Sequence, residues 1–351
     1  MATKGFAFVC LLLTGCWGSA EDTGPPTATI DPVDDAEVKL SLVQEGKTLK
    51  LYRGGIYCVN ERSGRWDFIA EGYDPEFYEK NYVEQDGAIF RKHENGKLYR
   101  VGREFSDDFE GARTIGDLIG LERGWTAFTL QSAKSPTVAD YVRLRNRILT
   151  GRGDFLDNRI GPSVEVAHGG QTALKAYSVP RSGDAVTNKA SLETELIHFV
   201  RGDDVWFAGW YYVPAEGGMP FTLMDLETTW FKEHPGIRIM VFGEKYLGVE
   251  LKWGAKPMYR QPRGKEIVFP RAKWVQVRFH TMLSEKDDGV VELWQDETKI
   301  VDARGQTLPL AHTIYNSLEV GISAHSIGPL PATLFVDDVS ISGSPQGAVT
   351  E

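Results

Sequence analysis

From residue 38 to residue 343 the chain repeats one theme, short runs in which apolar and polar side chains alternate, each closed by Gly, Pro, Asn or Asp. Side chains switch faces at every step of a strand, so such a run reads as a strand with one face in a core and the other toward water. Runs over residues 38–42, 49–52, 55–59, 66–69, 88–90 and 98–101 predict a small β-rich module, with Asn95-Gly96 as a hairpin turn signal. Eleven further strands are predicted over residues 163–167, 173–177, 192–199, 206–213, 221–226, 237–242, 247–253, 274–282, 290–295, 317–323 and 333–341. That number suits two packed antiparallel sheets and exceeds what one small barrel uses. A single segment breaks the alternation: Ser135 can cap, and Pro136 can open, a helix whose Val138, Tyr141, Val142, Ile148 and Leu149 fall near one face. The other reading of this segment is a strand with Arg143, Arg145 and Arg147 on one side; helix is the expected form.

The same alternation sorts candidate functional residues from core. In 274–282, Val275, Val277 and Phe279 form the apolar set, so Gln276, Arg278 and His280 share the opposite face. Ile237, Ile239 and Val241 leave Arg238 and Met240 opposite, and Leu247, Val249 and Leu251 leave Tyr246, Glu250 and Lys252 opposite. With Trp230, Trp253 and Tyr259 nearby, the result is a polar lining beside aromatic rings. Sugar rings stack on aromatics and their hydroxyls need donors and acceptors, which makes such a lining suitable for saccharide. An ordinary solvated sheet face shows the same alternation.

Charge narrows the partners. Lys and Arg number 39 against 49 Asp and Glu, a net −10, which repels phosphate backbones and argues against nucleic acid. No His-Glu-x-x-His, phosphate loop or Gly-x-Ser-x-Gly elbow occurs. One long apolar stretch, residues 6–13 behind Lys4, is too short to span a bilayer as a helix and has the form of a secretory signal. Its end, Leu13-Thr14-Gly15-Cys16, resembles the lipobox of bacterial lipoproteins, which implies lipid on Cys16 and a place on the outer membrane or cell surface. Cys58 is then the one cysteine of the folded region, so no internal disulfide forms and the thiol is expected to be a small buried apolar residue. The organisation expected is a signal peptide over 1–15, a lipidated Cys and flexible tether over 16–37, the β-module over 38–103, the main domain over 104–343 and a tail over 344–351.

Several segments of that main domain resemble the concanavalin-A-like jelly rolls, and among them the polysaccharide-lyase-like proteins. They are Phe105-Ser106-Asp107-Asp108-Phe109-Glu110-Gly111, the stretch from Glu165 to Lys175 ending Ala173-Leu174-Lys175, Trp210-Tyr211-Tyr212-Val213-Pro214, residues 274–280 and 288–295, and Leu334-Phe335-Val336-Asp337-Asp338-Val339. The resemblance implies an all-β, two-sheet antiparallel jelly-roll sandwich, with the small N-terminal β-module and one short helix beside it, acting on a polysaccharide. Where lyases of this kind carry Gln-x-His, this chain has Met224-Asp225-Leu226-Glu227, and two acids repel a uronate.

Three functions therefore stay open. For β-elimination, Arg238 or Arg278 would neutralise the carboxylate, His280 act as base and Tyr259 as acid, with Gln276, Glu193, Glu195, Glu250, Lys252 and Trp253 against the substrate. For hydrolysis, Asp225 and Glu227 offer paired carboxylates with Cα atoms roughly 6.6 Å apart on one face, and Glu193 and Glu195 make an equal claim. The third is a non-catalytic interaction scaffold, because fold does not fix function. No cofactor is required; Asp107, Asp108 and Asp338, at the ends of terminal strands, are candidate ligands for a structural calcium, which takes six to eight oxygens.

Overall fold

The computed structural model describes residues 29–44, 46–71, 74, 76–92, 96–120, 123–180, 187–231, 234–253, 256–324 and 329–344. Cys16 and the segment read as its signal lie outside them. Residues 104–343 form a sandwich of two antiparallel sheets. One is seven-stranded, in the spatial order Ala127–Thr129, Ala190–Thr194, Ser317–Ala324, Thr222–Glu227, Gly236–Phe242, Tyr246–Leu251 and Met258–Arg260. The other runs Arg159–Ser163, Ala173–Ser178, Ala332–Ser342, Asp204–Tyr212, Trp274–Met282, Gly289–Gln295 and Thr298–Gly305; its eighth strand, Glu104–Asp107, pairs with the far half of Ala332–Ser342. Leu192, Val320, Ile239 and Val249 of the first sheet share one core with Leu174, Tyr211, Val277, Phe279 and Val336 of the second. These are the apolar members of the alternating runs, and burying them leaves their polar neighbours on the two outer faces.

The structure departs from the predicted elements in ways that have local causes. The helix is Val138–Leu149 and its cap is Thr137, not Ser135: the Thr137 hydroxyl accepts from the Asp140 amide, and the Asp140 carboxylate accepts from the Thr137 amide. Of the predicted run 163–167 only Ser163 is in a strand; the segment paired with Ala173–Ser178 on this side lies upstream, at Arg159–Ser163. The predicted run 192–199 is shortened to Ala190–Thr194. Thr298–Gly305 escaped the pattern because a register shift at Leu293/Trp294 lets the adjacent Ile300 and Val301 both turn inward, which breaks the alternation.

Residues 29–100 form a five-stranded and a three-stranded sheet. They pack on the sandwich through a second core in which Leu49, Ile56, Ile69 and Tyr82 meet Trp230, Phe231, Leu310 and Ile314. Phe77 stacks on Trp230 at 5.4 Å, Arg91 pairs with Glu195 at 2.8 Å, and the Asn316 amide donates to the Tyr82 hydroxyl at 2.7 Å. Cys58 is a free, partly buried thiol, and burial raises its pKa and keeps it protonated. Among the described residues no helix is long and apolar enough to cross a membrane.

Candidate functional site

Strand register on the seven-stranded sheet assembles a row that the linear sequence disperses from 45 positions before Arg238 to 81 positions after it. Glu193 lies opposite Glu319, Glu319 opposite Asp225, Asp225 opposite Arg238, and Arg238 opposite Glu250. Residues directly opposed in an antiparallel pair share a face, and Leu192, Val320, Leu226, Ile239 and Val249 beside them are in the core. The row therefore occupies the outer face. Glu227 and Lys252, two residues beyond Asp225 and Glu250, belong to the same face.

Four of the five carboxylates on this face have a cation. Asp225 accepts from the Arg238 guanidinium at 3.0 Å, and the same guanidinium lies 3.5 Å from Glu250. Lys252 pairs with Glu227, and Lys189 with Glu319 at 3.0 Å; the Ser191 hydroxyl also donates to Glu319. Glu193 differs. Its Oε1 accepts from the Ser317 hydroxyl at 3.0 Å, and no lysine or arginine among the described residues forms an ion pair with it. Asp225, Glu227, Glu250 and Glu319 are buried, whereas Glu193 keeps partial access to solvent.

This difference in partners drives two acids apart. Burial, reinforced by the charges of Glu195 and Glu319, pushes Glu193 up to about 8. Burial acts the same way on Asp225, but Arg238, Lys252 and Lys189 outweigh it and hold that carboxyl down at about 2. At neutral pH the face thus carries a protonated Glu193 two strands from an ionised Asp225, the division of labour that acid–base catalysis needs. Burial raises Glu319 too, against the pull of Lys189, and lowers His234, which lies 3.9 Å from Glu227 and is neutral at pH 7.

A stability signature follows from the sign of the Glu193 shift. Unfolded, the group titrates near 4.5; folded, near 8. Its protonated form stabilises the fold fully below the unfolded value, and that contribution is lost as pH rises through the folded one. The melting temperature is therefore expected to fall between about pH 5 and pH 8.5, with Glu193→Gln flattening the fall. Parallel curves for the two proteins would place Glu193 in an ordinary solvated setting. Asp225 acts in the opposite sense: its contribution is present above 3.8 and lost as pH drops through about 2.

The other sequence candidates fall elsewhere. Gln276, Arg278 and His280 share the outer face of the eight-stranded sheet, on the far side of the core from Arg238. His280 is held at both nitrogens, by Glu292 at 2.7 Å and Asp204 at 2.8 Å, and stacks on Trp206 at 4.0 Å. Arg278 reaches the Asp296 carbonyl and Glu297, each at 3.3 Å. Tyr259 lies opposite Val249, so it points between the sheets rather than onto the polar lining, and its hydroxyl ends against Gly305. Trp253 is a core residue. A base, a neutraliser and an acid for elimination are thus not brought together from His280, Arg278 or Arg238, and Tyr259, because a sandwich core separates them. Glu195 is engaged by Arg91 of the N-terminal module.

The three residues expected to ligate calcium each carry a protein donor. Both Asp107 oxygens are taken, by Arg123 at 2.7 and 3.0 Å, the Trp125 indole at 2.7 Å and the Phe109 amide at 2.8 Å. Asp108 accepts from the Glu110 amide, and Asp338 is held by His168 at 2.7 Å. Asp225, Glu227 and Glu319 bring carboxylate oxygens within 4.8 Å of one another, but each already carries a cationic partner.

Sequence reading missed Lys189, Ser191, Ser317, Glu319 and His234. Glu319 was within reach, since it stands between Leu318 and Val320 in a predicted strand, the context that singled out Glu250. Lys189 precedes the predicted strand by three residues and His234 lies between two predicted strands, so neither carries a periodic signal.

No family model matches the chain, and no curated protein does. Solved structures do resemble it. The cellulose-induced protein Cip1 is 16% identical, with 68% of this chain and 97% of that one covered and a TM-score of 0.45. An endo-β-1,4-glucuronan lyase from the fungus Trichoderma reesei is 12% identical over 63% and 96%, with a TM-score of 0.44. The alginate lyase vAL-1 from Chlorella virus is 16% identical over 57% and 97%, with a TM-score of 0.34. These are similarities of backbone course, at identities too low to transfer the role of any residue.

Proposed function

We propose that the chain binds a polysaccharide along the outer face of its seven-stranded sheet and hydrolyses it there. Glu193 donates its proton to the leaving oxygen, and the ionised Asp225 carboxylate accepts the proton of the water that attacks the anomeric carbon. The observation that supports this most is the cross-strand row from Glu193 to Glu250, in which one carboxyl is protonated and another ionised on the same face. Two strand spacings separate Glu193 from Asp225, about 9.6 Å of backbone. That backbone spacing is at the limit of the span, about 6.5 to 9.5 Å between the carboxyls themselves, which leaves room for a water and inverts the anomeric centre. Glu319 sits between them, held by Lys189 and Ser191. With Glu193 protonated, four carboxylates stand against three cations, each already paired, so the face offers no free cation to a uronate and favours a neutral polysaccharide. The test is incubation with a panel of neutral and uronate polymers: new reducing ends without absorbance at ~235 nm support hydrolysis, and a rise at that wavelength, from a conjugated double bond, means elimination instead.

Lipid on Cys16 would tether this domain to the outer membrane or cell surface, which suits a protein that works on an external polymer. Cys16→Ser is expected to release the protein from the membrane fraction and to abolish labelling by a fatty-acid probe. Unchanged partition of the variant would remove the anchor from the proposal.

A further inference from the structure

A groove of about 820 Å³ lies at the edge of the other sheet, lined by Arg159–Ser163, Lys175 and Tyr177 and closed by Arg113, Thr114 and Phe155. Its charge runs against that of the whole chain: Arg113, Arg159 and Lys175 face it with Glu165 as its single carboxylate, in a protein of net charge −10. Glu165 is spent on Lys175, with oxygens at 2.5 and 2.7 Å. Arg113 and Arg159 are exposed, and neither guanidinium has an ion-pair or side-chain hydrogen-bond partner among the described residues. We infer that this groove binds an anionic saccharide polymer, one carrying carboxylate or sulfate groups, and that it does so independently of the acidic row on the opposite sheet.

Three observations favour that occupant. Guanidinium groups pair with carboxylate or sulfate in a planar two-pronged geometry, so two unpartnered arginines at one groove are suited to such groups. Tyr177 lies opposite Arg159 in register, which sets a ring beside a cation, the arrangement a charged sugar uses when its ring stacks and its acid is paired. The groove also has continuations that suit a chain rather than a single sugar. Phe155 lines both it and a second groove of about 610 Å³ that carries Lys134, Arg143, Arg147 and Arg152 against Asp140 and Asp154. On the other side Lys175 lies opposite Phe335, Phe335 opposite Tyr212 and Tyr212 opposite Trp274, with ring separations of 6.0 and 5.6 Å. The complementarity is local, since the net charge of the whole chain repels extended polyphosphates.

The test uses the full chain in calorimetric titrations with polygalacturonate and with a sulfated polysaccharide, beside a neutral glucan, duplex DNA and anionic vesicles. Binding to at least one anionic saccharide, weakened by added salt and exceeding that to the glucan, DNA and vesicles, is the expected result. The double change Arg113→Glu with Arg159→Glu should weaken it by roughly tenfold or more at an unchanged melting temperature, because both side chains are exposed. Tyr177→Ala should weaken it as well, and Tyr177→Phe should restore it, since stacking needs only the ring. Glu193→Gln should bind the anionic polymer like the wild type, which separates this groove from the acidic row. Unchanged affinity after charge reversal, no binding to either anionic saccharide, or equal binding to DNA or vesicles would overturn the inference.

Discussion

Glu193→Gln is expected to lower polysaccharide cleavage by roughly two to four orders of magnitude, the usual worth of a positioned acid, while leaving substrate binding close to wild type. Glutamine keeps the shape of the side chain and still accepts from Ser317, but it has no proton to give. Because Glu193 is already protonated at neutral pH, the substitution removes no charge from the face, so the Lys189–Glu319 and Arg238–Asp225 pairs beside it stay as they are. Asp225→Asn differs in kind: it deletes an ionised partner of a largely buried guanidinium and should cost stability as well as rate. A cleavage rate in Glu193→Gln equal to wild type would show that the proton comes from elsewhere.

Phe279→Ala is expected to destabilise the fold by about 3 to 5 kcal/mol, because the ring is fully buried between the two sheets and its removal leaves a cavity. For a domain of this size that is a fall in melting temperature of roughly 6 to 20 °C. His280→Ala, one residue along the same strand, is expected to stay within about 1 kcal/mol of wild type, since it gives up a stack on Trp206 and two side-chain hydrogen bonds on the outer face. The contrast tests the alternation of faces over Trp274–Met282, and a larger loss in His280→Ala than in Phe279→Ala would reverse it.

Alternation made the sandwich legible. A strand such as Trp274–Met282 records its burial in its own residues, with Val275, Val277 and Phe279 in and Gln276, Arg278 and His280 out. What it cannot record is which sheet it joins. Gln276, Arg278 and His280 obey the same pattern as Arg238, Glu250 and Lys252, yet lie across the core from them, because sheet membership is set by long-range pairing and not by any property of the strand itself. Candidates that were equivalent in the chain therefore separated into an acidic face and an aromatic one. The spread between Glu193 and Asp225 was hidden for a related reason. It depends on Glu319 reaching Glu193 from a distant strand and on Arg238, Lys252 and Lys189 gathering around Asp225, and an acid in isolation carries no sign of its neighbours. Tyr259 shows the limit for short elements: three residues, Met258–Arg260, are too few to show which face a ring takes until Val249 fixes the register.

The measurement closest to the centre of the proposal is the ionisation of Glu193 itself. A carbon-13 titration of the side-chain carboxyls, with the Glu193 resonance assigned by its loss in Glu193→Gln, reads that group directly, without requiring a known substrate. A midpoint near 8, with Asp225 remaining ionised down to about pH 2, is the expected result. A Glu193 midpoint near the ordinary 4.5 would mean that both carboxyls are ionised at neutral pH, and the face would have no acid to offer.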